Sequence, residues 1–198
     1  MNLFRNAFFI SILYFPFLSH AQECSSKLVD WSDYNRTLEQ LKGAYRSEDF
    51  QSVDNALSCL MADKTTFTSG KSGAVAVYWF FRKEMHAPGA GEEDKSRIDK
   101  WKKAVLGSSF AEFAELRFSY SQAWNSRGTK FANETREDQF KRFKELLLET
   151  EKMILSKENK LKETPISYNL LMAVALDTNG TQTTAMEAFN YGVTNWPN

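Results

Sequence analysis

Apolar residues recur at three- and four-residue steps along nearly the whole chain, and period-two alternation is never sustained. That pattern predicts helices and no sheet. A first helix collects Trp31, Tyr34, Leu38, Leu41 and Tyr45, with Ser32 or Asp33 placed to cap it; a second collects Phe50, Val53, Leu57, Leu60 and Met61. Ser47-Glu48-Asp49 separates the two, and the polar run from Asp63 to Gly70 reads as a loop. From Ser72 to Met85 the chain is apolar almost all round. Its length and its helical neighbours favour a buried helix over a buried strand. Within it Tyr78, Trp79, Phe80 and Phe81 are consecutive, so they cannot all face one neighbour: either both faces are covered, the commoner outcome, or an aromatic patch lies open.

His86-Ala87-Pro88-Gly89-Ala90-Gly91 is the clearest break, and 86–91 is the best place for a subdomain boundary. Beyond it, Glu92 to Leu106 is a charged amphipathic helix with Ile98, Trp101, Val105 and Leu106 on its apolar side. Its acidic start and later lysines suit the helix dipole. Ser108 or Ser109 opens a fifth helix through Phe110, Phe113, Ala114, Phe118 and Trp124, ending near Gly128. Asn133 or Thr135 opens the longest helix, to about Lys157, with Phe140, Phe143, Leu147 and Ile154 on one face. Thr164-Pro165 pairs a cap with a proline at the first helical position. It starts a seventh helix bearing Tyr168, Leu171, Val174 and Ala175, which stops at Thr178-Asn179-Gly180; an eighth carries Met186, Phe189, Val193 and Trp196. The expected class is all-α: about eight helices in antiparallel hairpins, arranged either as a tetratricopeptide-like α-solenoid or as a compact helical bundle.

Residues 1–21 follow a different pattern. Arg5 precedes an apolar run from Ala7 to Leu18, and Ser19-His20-Ala21 places small residues where a signal peptidase reads. This is a secretory signal with Gln22 as the first mature residue, and it implies export to the periplasm or the extracellular space. The run falls short of the roughly 20 residues that cross a bilayer. Residues 22–198 then form one helical domain. Loss of Arg5 leaves 24 basic against 25 acidic side chains, which gives no electrostatic reason to expect nucleic acid or anionic lipid as a partner. Cys24 and Cys59 fall at the shared end of the first hairpin. A disulfide there closes a loop worth about 3 to 4 kcal/mol in the chain-entropy model. A redox or metal-binding pair is disfavoured by the absence of C-x-x-C and of further ligands.

The inventory for catalysis is thin. After signal removal His86 is the lone histidine, so multi-histidine zinc sites are excluded, and any Ser-His-Asp or Cys-His arrangement must use a residue beside a Pro-Gly loop. Gly70-Lys71-Ser72 lacks the earlier glycine of a phosphate loop, Thr65 standing in its place. Glu112 and Glu115 share a helix face, as do Glu145 and Glu149, but the second pair sits among Lys141, Arg142 and Lys144 like a solvated surface. Trp124 and Arg127, three apart, are the most informative polar and aromatic pair. Arg127 is expected to bond carbonyls at the helix end, or Glu134 or Asp138. With Gly128 they form the candidate structural or binding motif.

The stretch from Leu116 to Gly128, then Ala132, Thr135 and the helix led by Phe140, resembles the bacterial family catalogued as domain of unknown function 4034. Ala123, Trp124, Arg127 and Gly128 carry the resemblance, which covers roughly Trp101 to Asn198. It implies a helical, tetratricopeptide-like fold and no established activity; relatives continuing past the equivalent of Trp196 would leave Phe189 and Trp196 exposed here. The reading is an exported, non-enzymatic helical-repeat protein that binds another protein as an adaptor, with no catalytic residues, metal or cofactor. Two alternatives are an envelope glycan or peptide hydrolase using paired carboxylates, and a truncated family member without its own function.

Overall fold

The computed structural model describes residues 26–62, 66–85, 91–157, 164, 166–180 and 182–195. The fold is all-α. Among the described residues eight helices run in order: α1 (Tyr34–Arg46), α2 (Phe50–Ala62), α3 (Gly73–Glu84), α4 (Glu92–Ala104), α5 (Ser109–Arg127), α6 (Glu137–Ser156), α7 (Ile166–Thr178) and α8 (Ala185–Asn195), with a 3-10 turn at Ala132–Glu134. Among the described residues the lone extended pairing is an isolated bridge between Thr66 and Ser72. Residues 1–21, read above as a leader, Cys24, His86 with the rest of 86–90, and Trp196 lie outside the described residues.

Helix ends follow local capping chemistry rather than the reach of the apolar pattern. Asp33 caps α1 by accepting from the Arg36 N–H at 3.0 Å. Trp31, expected on that helix, instead precedes it and packs against Phe67 at 4.9 Å, while Phe67 meets Tyr34 edge-on at 5.3 Å. A buried Phe67 inside a polar loop therefore anchors the start of α1. The fourth helix closes at Ala104, two residues short of the expected end, and Leu106 is 87% exposed instead of lining the apolar side. Ser108 then caps α5 through the Ala111 N–H at 2.9 Å.

The start of α6 also differs from expectation. Neither Asn133 nor Thr135 caps it: Asn133 lies in the 3-10 turn, and the Thr135 hydroxyl donates back to the Phe131 carbonyl at 2.9 Å. With Thr135 so engaged, Arg136 takes the cap position and its N–H donates to the Gln139 side chain at 3.3 Å.

Each helix packs on its successor, although α4 meets α3 chiefly through the Trp101 ring on Phe81 and packs more closely on α5 and α2. The odd helices touch as well, α1 on α3, α3 on α5, and α5 and α3 on α7. This is the contact order of stacked hairpins, and it brings α3, α5 and α7 around a common space. The core is aromatic. Trp101 is fully buried between Phe50 and Phe81, with interplanar angles of 7° and 5° and centroids 6.0 and 6.3 Å away. Phe81 continues to Phe113 at 4.8 Å, so one run of rings joins α2, α4, α3 and α5. Where α3 starts, a Cβ on Gly73 would lie 2.1 Å from the Leu60 carbonyl oxygen, so this approach of two backbones requires glycine.

Cys59 is buried on α2, and no described cysteine is free. At the other end of the chain α8 packs on α7 but leaves Phe189 53% exposed, beside exposed Met186, Tyr191 and Val193. No helix among the described residues is long and apolar enough to cross a membrane.

Candidate functional site

One face of α5 supplies Arg117, Tyr120, Ser121 and Trp124, the three- and four-residue steps that align side chains along a helix. Opposite them stand Tyr78 and Arg82, one turn apart on α3, and Asn169 and Ala173, one turn apart on α7. Between the three helices lies a cleft of about 590 Å³, closed at the end of α5 by Arg127, Gly128 and Thr129. Among the described residues three arginines line it and no carboxylate does.

The electrostatics of those arginines set the cleft apart. Of the eight arginines among the described residues, Arg36, Arg46, Arg97, Arg136 and Arg142 are ion-paired. The other three, Arg82, Arg117 and Arg127, pair with no carboxylate among the described residues, and all three face this one space. Arg117 is the deepest, its Nε buried without a hydrogen-bond partner. Burial pulls its guanidinium below the usual arginine range; the phenol groups of Tyr120 and Tyr78 act against this, and the nearby Arg82 charge reinforces it. The guanidinium is still a cation at any physiological pH. It lies over the Tyr120 ring at 5.0 Å, while Arg82 lies over Trp79 at 5.0 Å and donates to the Tyr78 hydroxyl at 3.0 Å.

The aromatic wall is held from behind. Asp177 on α7 accepts from the Tyr120 hydroxyl at 2.8 Å and from Trp124 Nε1 at 3.2 Å through one oxygen. Burial, reinforced by the Asp177 carboxylate, pushes the Tyr120 phenol up to about 12, so it stays a donor. Trp124 also packs edge-on against Phe143 at 5.0 Å. Both rings are thus fixed before any ligand arrives.

All three residues of the sequence motif line the cleft, although the expected partners of Arg127 were wrong. Its guanidinium lies over the Trp124 ring at 5.2 Å and over Phe140 at 5.7 Å, and Asp138 is taken by Arg136 at 2.7 Å. Helix-end carbonyls find another donor: the Gly128 N–H reaches Trp124 O and Asn125 O at 3.1 and 3.2 Å. Gly128 has φ 78° and ψ −174°, a region essentially closed to residues with a Cβ. The four consecutive rings divide their tasks. Phe80 and Phe81 enter the core, Tyr78 faces the cleft, and Trp79 lies outside under Arg82.

The remaining sequence candidates are engaged elsewhere. Lys71 sits 3.9 Å over the Tyr34 ring, and Ser72 makes no capping bond to α3. Glu145 pairs with Arg142 at 3.4 Å on the exposed face of α6. Glu112 and Glu115 lie beside Lys102 and Lys157, with Lys102 to Glu115 at 2.7 Å and Lys157 to Glu115 at 2.9 Å. Burial would raise both carboxyls, but the hydrogen bonds and charges of the two lysines outweigh it and hold them below their ordinary value of 4.5. A general acid needs the opposite shift. Among the described residues no group of three His, Cys, Asp or Glu side chains is placed to hold a metal.

This network predicts a pH response. A depressed folded-state pKa gives stability that is complete above the unfolded value and lost as pH falls through the folded one. The window therefore opens near pH 4.5 and extends below it. A Glu112→Gln, Glu115→Gln double variant should melt lower than the parent at pH 7 and lose less on acidification from pH 5 to 3. Parallel melting curves across that range would show that the network contributes nothing.

Arg82, Arg117, Tyr120, Asn169 and Asp177 were not singled out from sequence. For Arg117 a signal exists, since it stands seven residues before Trp124 and so on the same face of α5. For the residues of α3 and α7 none does, because only packing brings them to α5. Comparison with known proteins finds no matching family model, curated protein or solved structure.

Proposed function

We propose that this chain is an exported, non-enzymatic binding protein whose α3, α5 and α7 cleft takes an acidic segment of a protein partner. The observation that carries this reading is the gathering, in one cleft, of the three arginines that pair with no carboxylate among the described residues, in a chain with as many acidic as basic residues. A guanidinium buried without a counter-charge costs several kcal/mol in principle, and a carboxylate brought by a partner offsets that cost. Fixed aromatic walls add apolar contact beside the charges, the composition that dominates binding at protein interfaces. The likeness of Leu116–Gly128 to the family named above is compatible with this role but assigns no ligand.

Export rests on the leader at 1–21. A Cys24–Cys59 disulfide belongs to the same reading, supported by the absence of a free described cysteine and by there being two cysteines in all. Thiol titration of the unreduced, denatured protein should read zero; two titrating thiols would remove this pairing.

The ligand class is tested with two labelled hexapeptide libraries and fluorescence anisotropy. One draws on Asp, Glu, Leu, Tyr and Gly; the other replaces the acids by Asn and Gln. The acidic library should bind, more weakly at 200 mM than at 20 mM salt, and an Arg117→Gln variant should lose that binding. Equal binding of both libraries, or of neither, would overturn the assignment.

A further inference from the structure

Resting on that reading, we infer that the bound segment is extended and carries two acidic residues four positions apart, with an aromatic or large apolar residue midway between them. The cleft has two cationic ends. Arg117 and Arg82 form one, close enough for their charges to disfavour each other. Arg127 forms the other. Ten residues separate Arg117 from Arg127 on the continuous helix α5, which at 1.5 Å per residue places them about 15 Å apart along its axis. An extended chain rises about 3.3 Å per residue, so that span corresponds to between four and five residues.

Parity decides between the two. Side chains of an extended chain alternate, so residues i and i+4 point to the same side while i and i+5 point to opposite sides. Two acids that both face α5 must therefore be four apart, and the flexible arginine side chains take up the difference of about 2 Å. The residue at i+2 points the same way and falls on the wall between the cationic ends. That wall is Tyr120 and Trp124, both locked by Asp177. Arg127 is braced between Trp124 and Phe140, which fixes the far end of the ruler. Asn169 on α7 supplies a side-chain amide, donor and acceptor together, for the exposed backbone of such a segment.

The test uses three capped peptides and isothermal titration: Glu-Gly-Tyr-Gly-Glu, its isomer Glu-Glu-Gly-Tyr-Gly, and Glu-Gly-Ala-Gly-Glu. The first should bind about tenfold tighter than either of the others, because each control gives up one of the three contacts. Arg127→Gln should abolish the preference over the isomer and leave the weaker binding at the Arg82 and Arg117 end, its fold checked by circular dichroism. Arg127→Lys, which keeps the charge, should keep part of the preference. Equal affinity of the two isomers overturns the spacing while leaving the acidic-ligand reading intact. Failure of all three peptides, together with failure of the acidic library, overturns that reading itself. Displacement of the first peptide by inorganic phosphate or citrate at concentrations comparable to the peptide's own would show a site for a small anion, and would overturn the spacing rule too.

Discussion

Arg117→Met is expected to give a protein that is more stable and binds acidic peptide far less well. The two effects have one cause. In the unliganded protein the Arg117 guanidinium is largely withdrawn from water, its Nε lacks a hydrogen-bond partner, and its compensation is the Tyr120 ring at 5.0 Å. A cation over a ring returns about 0.5 to 2 kcal/mol, less than the several kcal/mol of desolvation that an uncompensated buried charge entails. Methionine fills most of the arginine stem's volume and carries no charge. We expect a gain of about 1 to 2 kcal/mol, which for a domain of this size raises the melting temperature by about 2 to 6 °C. Affinity for acidic peptide should fall by about 2 kcal/mol or more, the cost of removing one member of a buried charge pair. Calorimetric melting and peptide titration of one preparation check both effects. A destabilised variant that still binds would mean that Arg117 is a packing residue with no part in recognition.

The second large effect concerns the scaffold. Trp101→Ala should cost about 5 kcal/mol, a large share of the 5 to 15 kcal/mol that holds a typical domain folded. Truncating a buried aromatic costs about 3 to 5 kcal/mol from transfer and cavity alone. Here two further losses add to it. The stacked contacts with Phe50 and Phe81 disappear, and Asp54, whose carboxylate accepts from Trp101 Nε1 at 3.2 Å and from the Ser108 hydroxyl, loses one of its two donors. Asp54 is sensitive to that loss because burial already pushes its carboxyl up, against those two hydrogen bonds. Trp101→Phe separates the contributions: it keeps a ring in the stack and gives up the hydrogen bond, and should cost about 1 to 3 kcal/mol. The check is urea unfolding followed by far-ultraviolet circular dichroism. A loss under about 2 kcal/mol for the alanine variant would mean that the ring stack is not the centre of the core.

The apolar period made the helices legible, since each buries one continuous stripe and Leu41, Val53, Ile98, Leu147 and Val174 all fall where the stripe predicts. Boundaries were less legible, because the period continues past the point where a cap intervenes. Trp31 and Leu106 both fit the period of a neighbouring helix, yet Asp33 and the break after Ala104 leave them outside it. The site was legible in one part. Trp124, Arg127 and Gly128 lie close together in sequence, so their spacing placed them near one another at the end of a helix. What Arg127 does there was not, because a guanidinium chooses among carbonyls, carboxylates and ring faces according to tertiary neighbours, and Phe140 on α6 supplied the ring. Arg82 and Asp177 belong to helices whose approach to α5 depends on the packing of the whole chain. No local pattern marks either of them.

The break between α3 and α4 has a consequence for how occupancy is felt. The wall carrying Tyr78 and Arg82 belongs to the part of the chain that precedes residues 86–91, and the walls on α5 and α7 to the part that follows them. A segment held by Arg82 on one side and by Arg117 and Arg127 on the other is then a tie between the two parts as well as a cargo. Binding confined to the folded state raises its stability by RT ln(1 + [L]/Kd), about 2.7 kcal/mol at a hundredfold excess over Kd. Hydrogen exchange should locate that gain at the seam, slowing amides at the C-terminal end of α3 and along α5 more than those of α8, which contributes no described residue to the cleft.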